Sequence, residues 1–151
     1  MTLKEFEMQS ALGSLPNTVK REMAENSNTP INILVRLSVG RNKYIRRRVA
    51  MNPNIHNMPE EDLIKLSNDK NYAVRLQVAS NPNVPTKILS KILFTLKKPV
   101  KDANIKYAIE CNPNASKEDV FELKLQNLKK VLRKKRKKRI MSKIYGRINK
   151  G

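Results

Sequence analysis

Seven consecutive cations give this chain its clearest chemical signal. They run from Arg133 to Arg139 in the order Arg-Lys-Lys-Arg-Lys-Lys-Arg. From Leu123 to Gly151 the chain holds 13 Lys and Arg residues and no Asp or Glu. Such a run repels itself in water, and phosphate groups relieve that repulsion while releasing counterions into solution. The run therefore predicts a polyanionic partner, and we expect it to fray or become disordered without one.

A second group of candidate cations lies in four segments of similar sequence, each of which ends at an Asn-containing motif described below. Each segment has a cation at the same position, namely Lys20, Arg46, Arg75 and Lys106. One interpretation is a row of phosphate contacts along one face of the protein. The other is structural, with each cation bonded to a neighbouring loop through an acceptor such as Asp69 or Asp102. The sequence leaves both interpretations open.

Arg47 and Arg48 differ from that row, because their equivalents in the next two copies are not basic, namely Leu76 and Gln77, and Tyr107 and Ala108. A charge that the repeat itself does not require is more readily explained by binding. Two further groups, around Arg41 and after Lys97, extend the basic surface. The candidate nucleic-acid-binding residues are Arg41, Lys43, Arg46, Arg47, Arg48, Arg75, Lys97, Lys98, Lys101, Arg133, Lys134, Lys135, Arg136, Lys137, Lys138, Arg139, Lys143 and Arg147.

Apolar residues flank the seven cations on both sides at helical spacing. The first stripe is Phe121, Leu125, Leu128 and Val131 or Leu132. We expect it to cover the exposed end of the stacked helical repeats that the preceding part of the chain predicts. The second stripe is Ile140, Met141, Ile144, Tyr145 and Ile148. Its apolar side must meet the body of the protein, a partner protein or a bilayer.

A sequence motif based on Asn-Pro-Asn is repeated along the rest of the chain. Its leading residues, Asn26, Asn52, Asn81 and Asn112, are separated by 26, 29 and 31 positions. A period in this range is typical of stacked supersecondary units. We expect each motif to end one helix and begin the next, with the Asn in the left-handed conformation and Pro30, Pro59 or Pro85 opening the following helix.

The apolar residues keep the same register from one copy to the next. The first helices carry an i, i+3 pair, namely Leu34/Leu37, Leu63/Leu66, Leu89/Ile92 and Val120/Leu123. The second helices carry an i, i+4 pair, namely Val19/Met23, Ile45/Val49, Val74/Val78 and Ile105/Ile109. Helices this short are not stable alone, so they are expected to stack and share one aliphatic core.

The phrase Val-Arg-x-x-Val-Ala-x-Asn-Pro-Asn-x-Pro at residues 74–85 resembles the leucine-rich repeat variant family and related short HEAT-like repeats. The similarity covers about residues 16–123, although Ser27 and Glu110 depart from the pattern. It implies an all-α, right-handed α-solenoid of about four helical hairpins over residues 1–122. Residues 123–151 then form a long basic C-terminal helix. Such folds serve many purposes, so the resemblance carries little information about function.

The side chains that catalysis and metal binding use are scarce in this chain. His56 is its single histidine and Cys111 its single cysteine, and we expect Cys111 to be buried. We therefore expect no enzyme activity, metal site or cofactor. Some HEAT-like solenoids are DNA glycosylases, but this chain has no Trp, although Tyr44 and Tyr72 lie in consecutive second helices near the basic row. The acids Glu60, Glu61 and Asp62 are expected only to complement a helix dipole.

The formal net charge of +19 favours a polyanionic partner. We expect non-catalytic binding to the phosphate backbone, with structured RNA slightly favoured over DNA. An alternative is an adaptor that grips a nucleoprotein or inhibits a nucleic-acid enzyme, and a third possibility is binding to an anionic membrane. The lone cysteine, the absence of a long apolar run and the acidic residues near Met1 predict a cytoplasmic protein with neither transmembrane segment nor signal peptide.

Overall fold

The structure is a computed structural model that describes residues 1–96 and 103–148, except for the side chains of residues 94, 95, 123, 127 and 143–148. The described residues are helical and contain no strand. The α-helices are α1 (Leu3–Ala11), α2 (Asn17–Glu25), α3 (Ile31–Ser38), α4 (Lys43–Met51), α5 (Glu60–Ser67), α6 (Tyr72–Ser80), α7 (Thr86–Thr95), α8 (Ala103–Glu110) and α9 (Lys117–Ile148). A 3₁₀ helix spans Pro53–Asn57.

The chain divides into two compact units, Met1–Ser116 and Lys117–Gly151. The expected boundary after residue 122 falls inside α9, because that helix already begins at Lys117. We call the first unit the body. Helix α9 is continuous through the seven cations, where charge repulsion alone predicts fraying.

The helices of the body alternate between two rows. The even-numbered helices pack in chain order, α2 against α4, α4 against α6 and α6 against α8. The odd-numbered helices follow the same order, from α1 to α3, α5 and α7. Contacts between α3 and α4, α5 and α6, and α7 and α8 join the rows. This arrangement makes each helical hairpin a neighbour of the next one along the chain.

Burial follows the predicted apolar register in the inner copies. The pairs Leu34/Leu37, Leu63/Leu66 and Leu89/Ile92 on the first helices are buried, as are Ile45/Val49, Val74/Val78 and Ile105/Ile109 on the second helices. Val19 and Met23, in the first copy, are only half-buried. An aliphatic core between the two rows therefore holds the hairpins together.

The Asn-Pro-Asn corners are joined by side-chain hydrogen bonds that run from repeat to repeat. The Asn81 amide Nδ2 donates to the carbonyl oxygens of Ala50 and Asn52 at 2.8 and 3.1 Å. Its Oδ1 accepts from the N–H of Asn83 at 2.9 Å. Asn52 repeats this geometry toward Ala24 and Asn26, and Asn112 repeats it toward Ala79 and Asn81. We call this series the asparagine ladder.

The asparagine ladder shows that these asparagines have a different role from the predicted one, which was to adopt the left-handed backbone conformation. Asn52 and Asn81 have φ of −61° and −75°, and no non-glycine residue of the described chain has a positive φ. The expected left-handed conformation is therefore wrong. These asparagines are nearly completely buried, and the two amide donors of each side chain satisfy carbonyl groups of the preceding repeat.

Cys111 is exposed, so the expectation that it is buried is wrong. It follows the last residue of α8, and the equivalent residues of the other second helices, Glu25, Met51 and Ser80, are exposed as well. The buried face of α8 is formed instead by Ile105 and Ile109, because only those two positions turn toward the core.

Candidate nucleic-acid interface

The seven cations from Arg133 to Arg139 lie on two turns of α9, and all of them are exposed. No carboxylate of the described residues forms an ion pair with any of them. Successive residues of an α-helix are rotated by about 100°, so the run places positive charge around the whole circumference. These groups are free to receive external anions from several directions.

Lys143 and Arg147 also lie within α9, one and two turns beyond the run. The structure does not describe their side chains. Lys97, Lys98 and Lys101 lie outside the described residues, so their predicted role stays a prediction.

The residues of the predicted basic patch at 41–48 differ in exposure and in their partners. Arg41, Lys43 and Arg47 are exposed. Lys43 and Arg47 are one helical turn apart on α4, so they lie on the same side of it. Tyr44 is 61% exposed, and the Lys43 Nζ lies 5.2 Å from the centroid of its ring. These residues keep the solvent access that contact with phosphates and bases requires.

Arg48 differs from Arg47 because it already has an acidic partner. Its Nη1 lies 2.7 Å from the Glu25 Oε1, in a half-exposed ion pair that joins α4 to α2. Arg48 therefore has a role in the fold that its neighbour lacks.

Arg46 is not available as a phosphate contact, which corrects its inclusion among the candidate residues. Its side chain is 5% exposed, and its Nε and Nη2 donate to the two carboxylate oxygens of Asp69 at 2.5 and 2.9 Å. Its Nη1 donates to the carbonyl oxygens of Gly40 and Arg41 at 2.9 and 3.0 Å. For Arg46, the geometry therefore supports the structural interpretation, in which the cation bonds to a neighbouring loop.

The Arg46–Asp69 pair shifts the pKa values of both groups. The hydrogen bond with Asp69 raises the pKa of Arg46 above its ordinary value, against the opposing effect of burial. Burial acts to raise the pKa of Asp69, but the hydrogen bonds from Arg46 and from the Asn71 N–H outweigh it and lower that pKa. Both groups therefore stay charged at neutral pH.

Arg75 repeats part of this arrangement. Its Nη1 donates to the carbonyl oxygens of Asp69 and Lys70 at 2.7 and 3.4 Å, which are six and five residues before it. Arg46 bonds Gly40 and Arg41 at the same offsets. The Arg75 guanidinium also lies 5.7 Å from the Tyr72 ring centroid. Arg75 is half-buried, so it is committed to its own loop more than to solvent.

A cleft in the body was not predicted from the sequence. It has a volume of about 1080 Å³ and lies among α1, α2, the end of α3 and the start of α4. Its cations include Lys20, Arg41 and Lys43, and Tyr44 also lines it. Lys20 was expected only as a member of the repeated basic row. Comparing the loops of successive repeats could have found it, because Gly40 stands where the next repeat has Asp69.

The acids of the first turn of α5 do more than complement a helix dipole. Glu60 accepts from the Nζ of Lys87 at 2.8 Å and also from the Nζ of Lys91, so it ties α5 to α7. The hydrogen bonds from Lys87 and Lys91 lower the pKa of Glu60 to about 2. No local sequence pattern indicates this contact, since the partners lie 27 and 31 residues away.

Among the described residues, no group of three or more His, Cys, Asp or Glu side chains could hold a metal ion. The His56 ring is exposed, and its Nδ1 lies 3.1 Å from the carbonyl oxygen of Pro53. In the same part of the chain, no helix is long and apolar enough to cross a bilayer.

Comparison of the chain with protein-family models, curated proteins and solved structures found no match.

Proposed function

We propose that this protein binds nucleic acid without catalysis and contacts the phosphate backbone through α9. The observation that carries this proposal is the run Arg133–Arg139, which is helical, exposed and free of acidic partners in the described chain. Neutralising several phosphates at once releases several counterions, which is the main source of sequence-independent affinity for nucleic acid. Arg41, Lys43 and Arg47 add exposed cations on the body.

The placement of charge around α9 favours a groove over a flat surface. A helix lying on a bilayer needs cations on one side and an apolar face on the other. In α9 the cations surround the helix. At about 100° per residue, positions 121, 125, 128 and 132 also fall on roughly the opposite side from positions 140, 141, 144, 145 and 148. No single face of α9 is therefore apolar along its length, whereas a groove presents phosphates on both of its sides.

We propose an α-solenoid architecture for the body, in four helical hairpins of the leucine-rich repeat variant or short HEAT-like kind. Its support is the chain-order packing of both helix rows and the asparagine ladder between successive corners. A scaffold of this kind holds the basic residues of its loops in a fixed register.

The ligand that we propose first is structured RNA, with duplex DNA second. A basic helical extension suits the irregular grooves of a folded RNA, and recognition is of backbone and shape because the chain has no base-reading motif. We infer that binding is sensitive to salt and tolerant of sequence.

The test compares the full chain with a variant in which all seven cations, Arg133–Arg139, are replaced by Gln. Gln has a helix propensity close to that of Lys and Arg, so α9 is retained. Ligands are an RNA hairpin, a duplex DNA and vesicles containing phosphatidylserine, and a variant with seven Lys residues is the matched control. We expect the Gln variant to bind RNA at least about a hundredfold more weakly and the Lys variant to bind normally.

Three results would contradict the proposal. Equal RNA affinity of the Gln variant and the wild type would show that α9 is not the contact. Binding to vesicles alone would indicate a membrane protein. No affinity for any of the three ligands would favour the adaptor, whose partner is a protein.

A further inference from the structure

The loop of one repeat lacks a carboxylate that the next repeat has. Arg46 bonds the carbonyl groups of Gly40 and Arg41, and Arg75 bonds those of Asp69 and Lys70, at identical offsets along the chain. Gly40 and Asp69 therefore occupy equivalent places in their loops. The Asp69 carboxylate reaches back to Arg46, the cation of the preceding repeat. The corresponding partners one repeat earlier are Gly40 and Lys20.

Gly40 has no side chain, so Lys20 has no carboxylate where Arg46 has Asp69. Lys20 is half-buried and forms no ion pair among the described residues. Both Lys20 and Gly40 line the cleft in the body. The missing carboxylate thus leaves room beside Lys20 that the Asp69 carboxylate fills beside Arg46.

The cleft is strongly cationic once its internal ion pair is taken into account. Arg36 and Glu7 both line it and form an ion pair at 2.7 Å, which neutralises them. The remaining cations are Lys20, Arg41 and Lys43, and Glu7 is the one acid among the described residues that line the cleft. Three cations without an acidic partner suit a phosphate monoester, which carries about two negative charges at neutral pH, better than the single charge of a backbone diester.

Aromatic and apolar groups beside these cations point to a nucleoside carrying the phosphate. Tyr44 lines the cleft with its ring largely exposed, and a planar base stacks on such a ring. Phe6, Leu37 and Ile45 are buried side chains that also line it. A volume of about 1080 Å³ is ample for one nucleotide.

We propose that this cleft binds a nucleoside phosphate monoester, with its phosphate in the place that the Asp69 carboxylate holds one repeat later. The ligand is either a free mononucleotide or the phosphorylated end of a strand. The inference deepens the proposed function and rests on it for the choice of a nucleotide, but its residues lie in the body and not in α9.

The experiment measures binding of adenosine 5′-monophosphate, adenosine and inorganic phosphate to the full chain by calorimetry. We expect one saturable site for the monophosphate and at least about tenfold weaker binding of adenosine, because the charged contacts are lost. Inorganic phosphate is expected to bind more weakly than the nucleotide. Equal affinity for adenosine and its monophosphate would overturn the phosphate site, and equal affinity for inorganic phosphate would overturn the assignment to a nucleotide.

Two variants test the geometry of the site. Lys20→Gln removes the cation that lacks a partner, and Gly40→Asp supplies the missing carboxylate. Each is expected to weaken monophosphate binding about tenfold or more. Lys106→Gln, at the equivalent position of the last repeat, is the control and is expected to change nothing. A Cβ at Gly40 meets the Leu37 carbonyl oxygen at 3.3 Å, so Lys20→Gln decides the outcome if Gly40→Asp misfolds. Equal effects of Lys20→Gln and Lys106→Gln would overturn the proposal.

Competition separates the two sources of the ligand. A short oligonucleotide with a 5′-phosphate that displaces the monophosphate, where its 5′-hydroxyl form does not, assigns the site to a strand end. Failure of both to displace it assigns the site to free nucleotides. Loss of the monophosphate site with RNA binding intact would remove only this inference. Retained monophosphate binding with no effect of the Arg133–Arg139 variant on RNA would instead remove the proposed function.

Discussion

Arg46 and the run Arg133–Arg139 carry the same kind of charge and have opposite surroundings. Arg46 is buried, and each nitrogen of its guanidinium donates to Asp69 or to a loop carbonyl group. The seven cations of α9 are exposed and have no acidic partner in the described chain. Charge alone therefore does not identify a binding residue. What distinguishes the two is whether the protein itself provides the counter-charge.

The same contrast between cations with and without a counter-charge exists between adjacent residues and between equivalent residues of successive repeats. Arg47 follows Arg46 directly but is exposed. Lys20 matches Arg46 in register but lines a cleft together with Gly40, whereas Arg46 is paired with Asp69. One change in an opposing residue thus converts a structural position into a candidate site.

Removing the charge of the buried Arg46 should have the largest effect on stability. Arg46→Gln leaves the Asp69 carboxylate buried without its partner, which is expected to lower the free energy of unfolding by about 3 kcal/mol. Chemical denaturation measures it, and Arg47→Gln is the matched control with a change within about 0.5 kcal/mol. Similar losses for the two variants would show that burial does not separate their roles.

The asparagine ladder provides the next largest effect. Asn81→Ala removes the side-chain amide that donates to the carbonyl groups of Ala50 and Asn52, and it removes the acceptor for the Asn83 N–H. We expect a loss of about 2 kcal/mol in unfolding free energy. Asn83→Ala, two residues away and exposed, should cost less than about 0.5 kcal/mol. If both variants unfold at the same denaturant concentration, the ladder is not what joins the repeats.

A smaller effect is expected at the exposed cation Arg47, and it appears in binding. Arg47→Gln should weaken RNA binding severalfold and reduce the salt slope by about one, as expected for the loss of one phosphate contact. Arg48→Gln should have less effect on binding because Glu25 already pairs with Arg48. Fluorescence anisotropy over a salt series measures both. A larger binding loss for Arg48→Gln would reverse this assignment.

The smallest effect is expected at Glu60 and depends on pH. Its pKa is lowered from 4.5 to about 2 in the folded protein, so its contribution to stability is complete above the unfolded-state value. That contribution is lost as the pH falls from about 4.5 to about 2. The difference in unfolding free energy between the wild type and Glu60→Gln should therefore shrink over this range and decrease in high salt. A difference that is independent of pH would mean that the ion pairs with Lys87 and Lys91 contribute nothing.

Local sequence patterns predicted the helices and the buried apolar positions, because helical periodicity and corner residues act over a few neighbours. The apolar pairs from Leu34 to Ile92 are buried as predicted. The conformation of Asn81 and the exposure of Cys111 were predicted wrongly. In both cases the deciding factor was contact with the preceding repeat or the position at a helix end.

The candidate site was less predictable than the fold. The sequence suggested Asp69 as an acceptor for the repeated basic row, and the structure shows it paired with Arg46. The cleft around Lys20 was not predicted, although comparing Gly40 with Asp69 in successive loops could have indicated it. The pairing of Arg48 with Glu25 could not be inferred, because it depends on side chains that meet only after the repeats stack.

The most direct test of the central claim is the salt dependence of RNA binding by the wild type and the variant with Gln at Arg133–Arg139. If the seven cations neutralise phosphates, the logarithm of the wild-type affinity should fall with the logarithm of salt concentration with a slope of about −5. The slope of the variant should be clearly shallower, because only the cations outside Arg133–Arg139 remain to neutralise phosphates. Equal slopes for the two proteins would contradict the claim that α9 is the nucleic-acid contact.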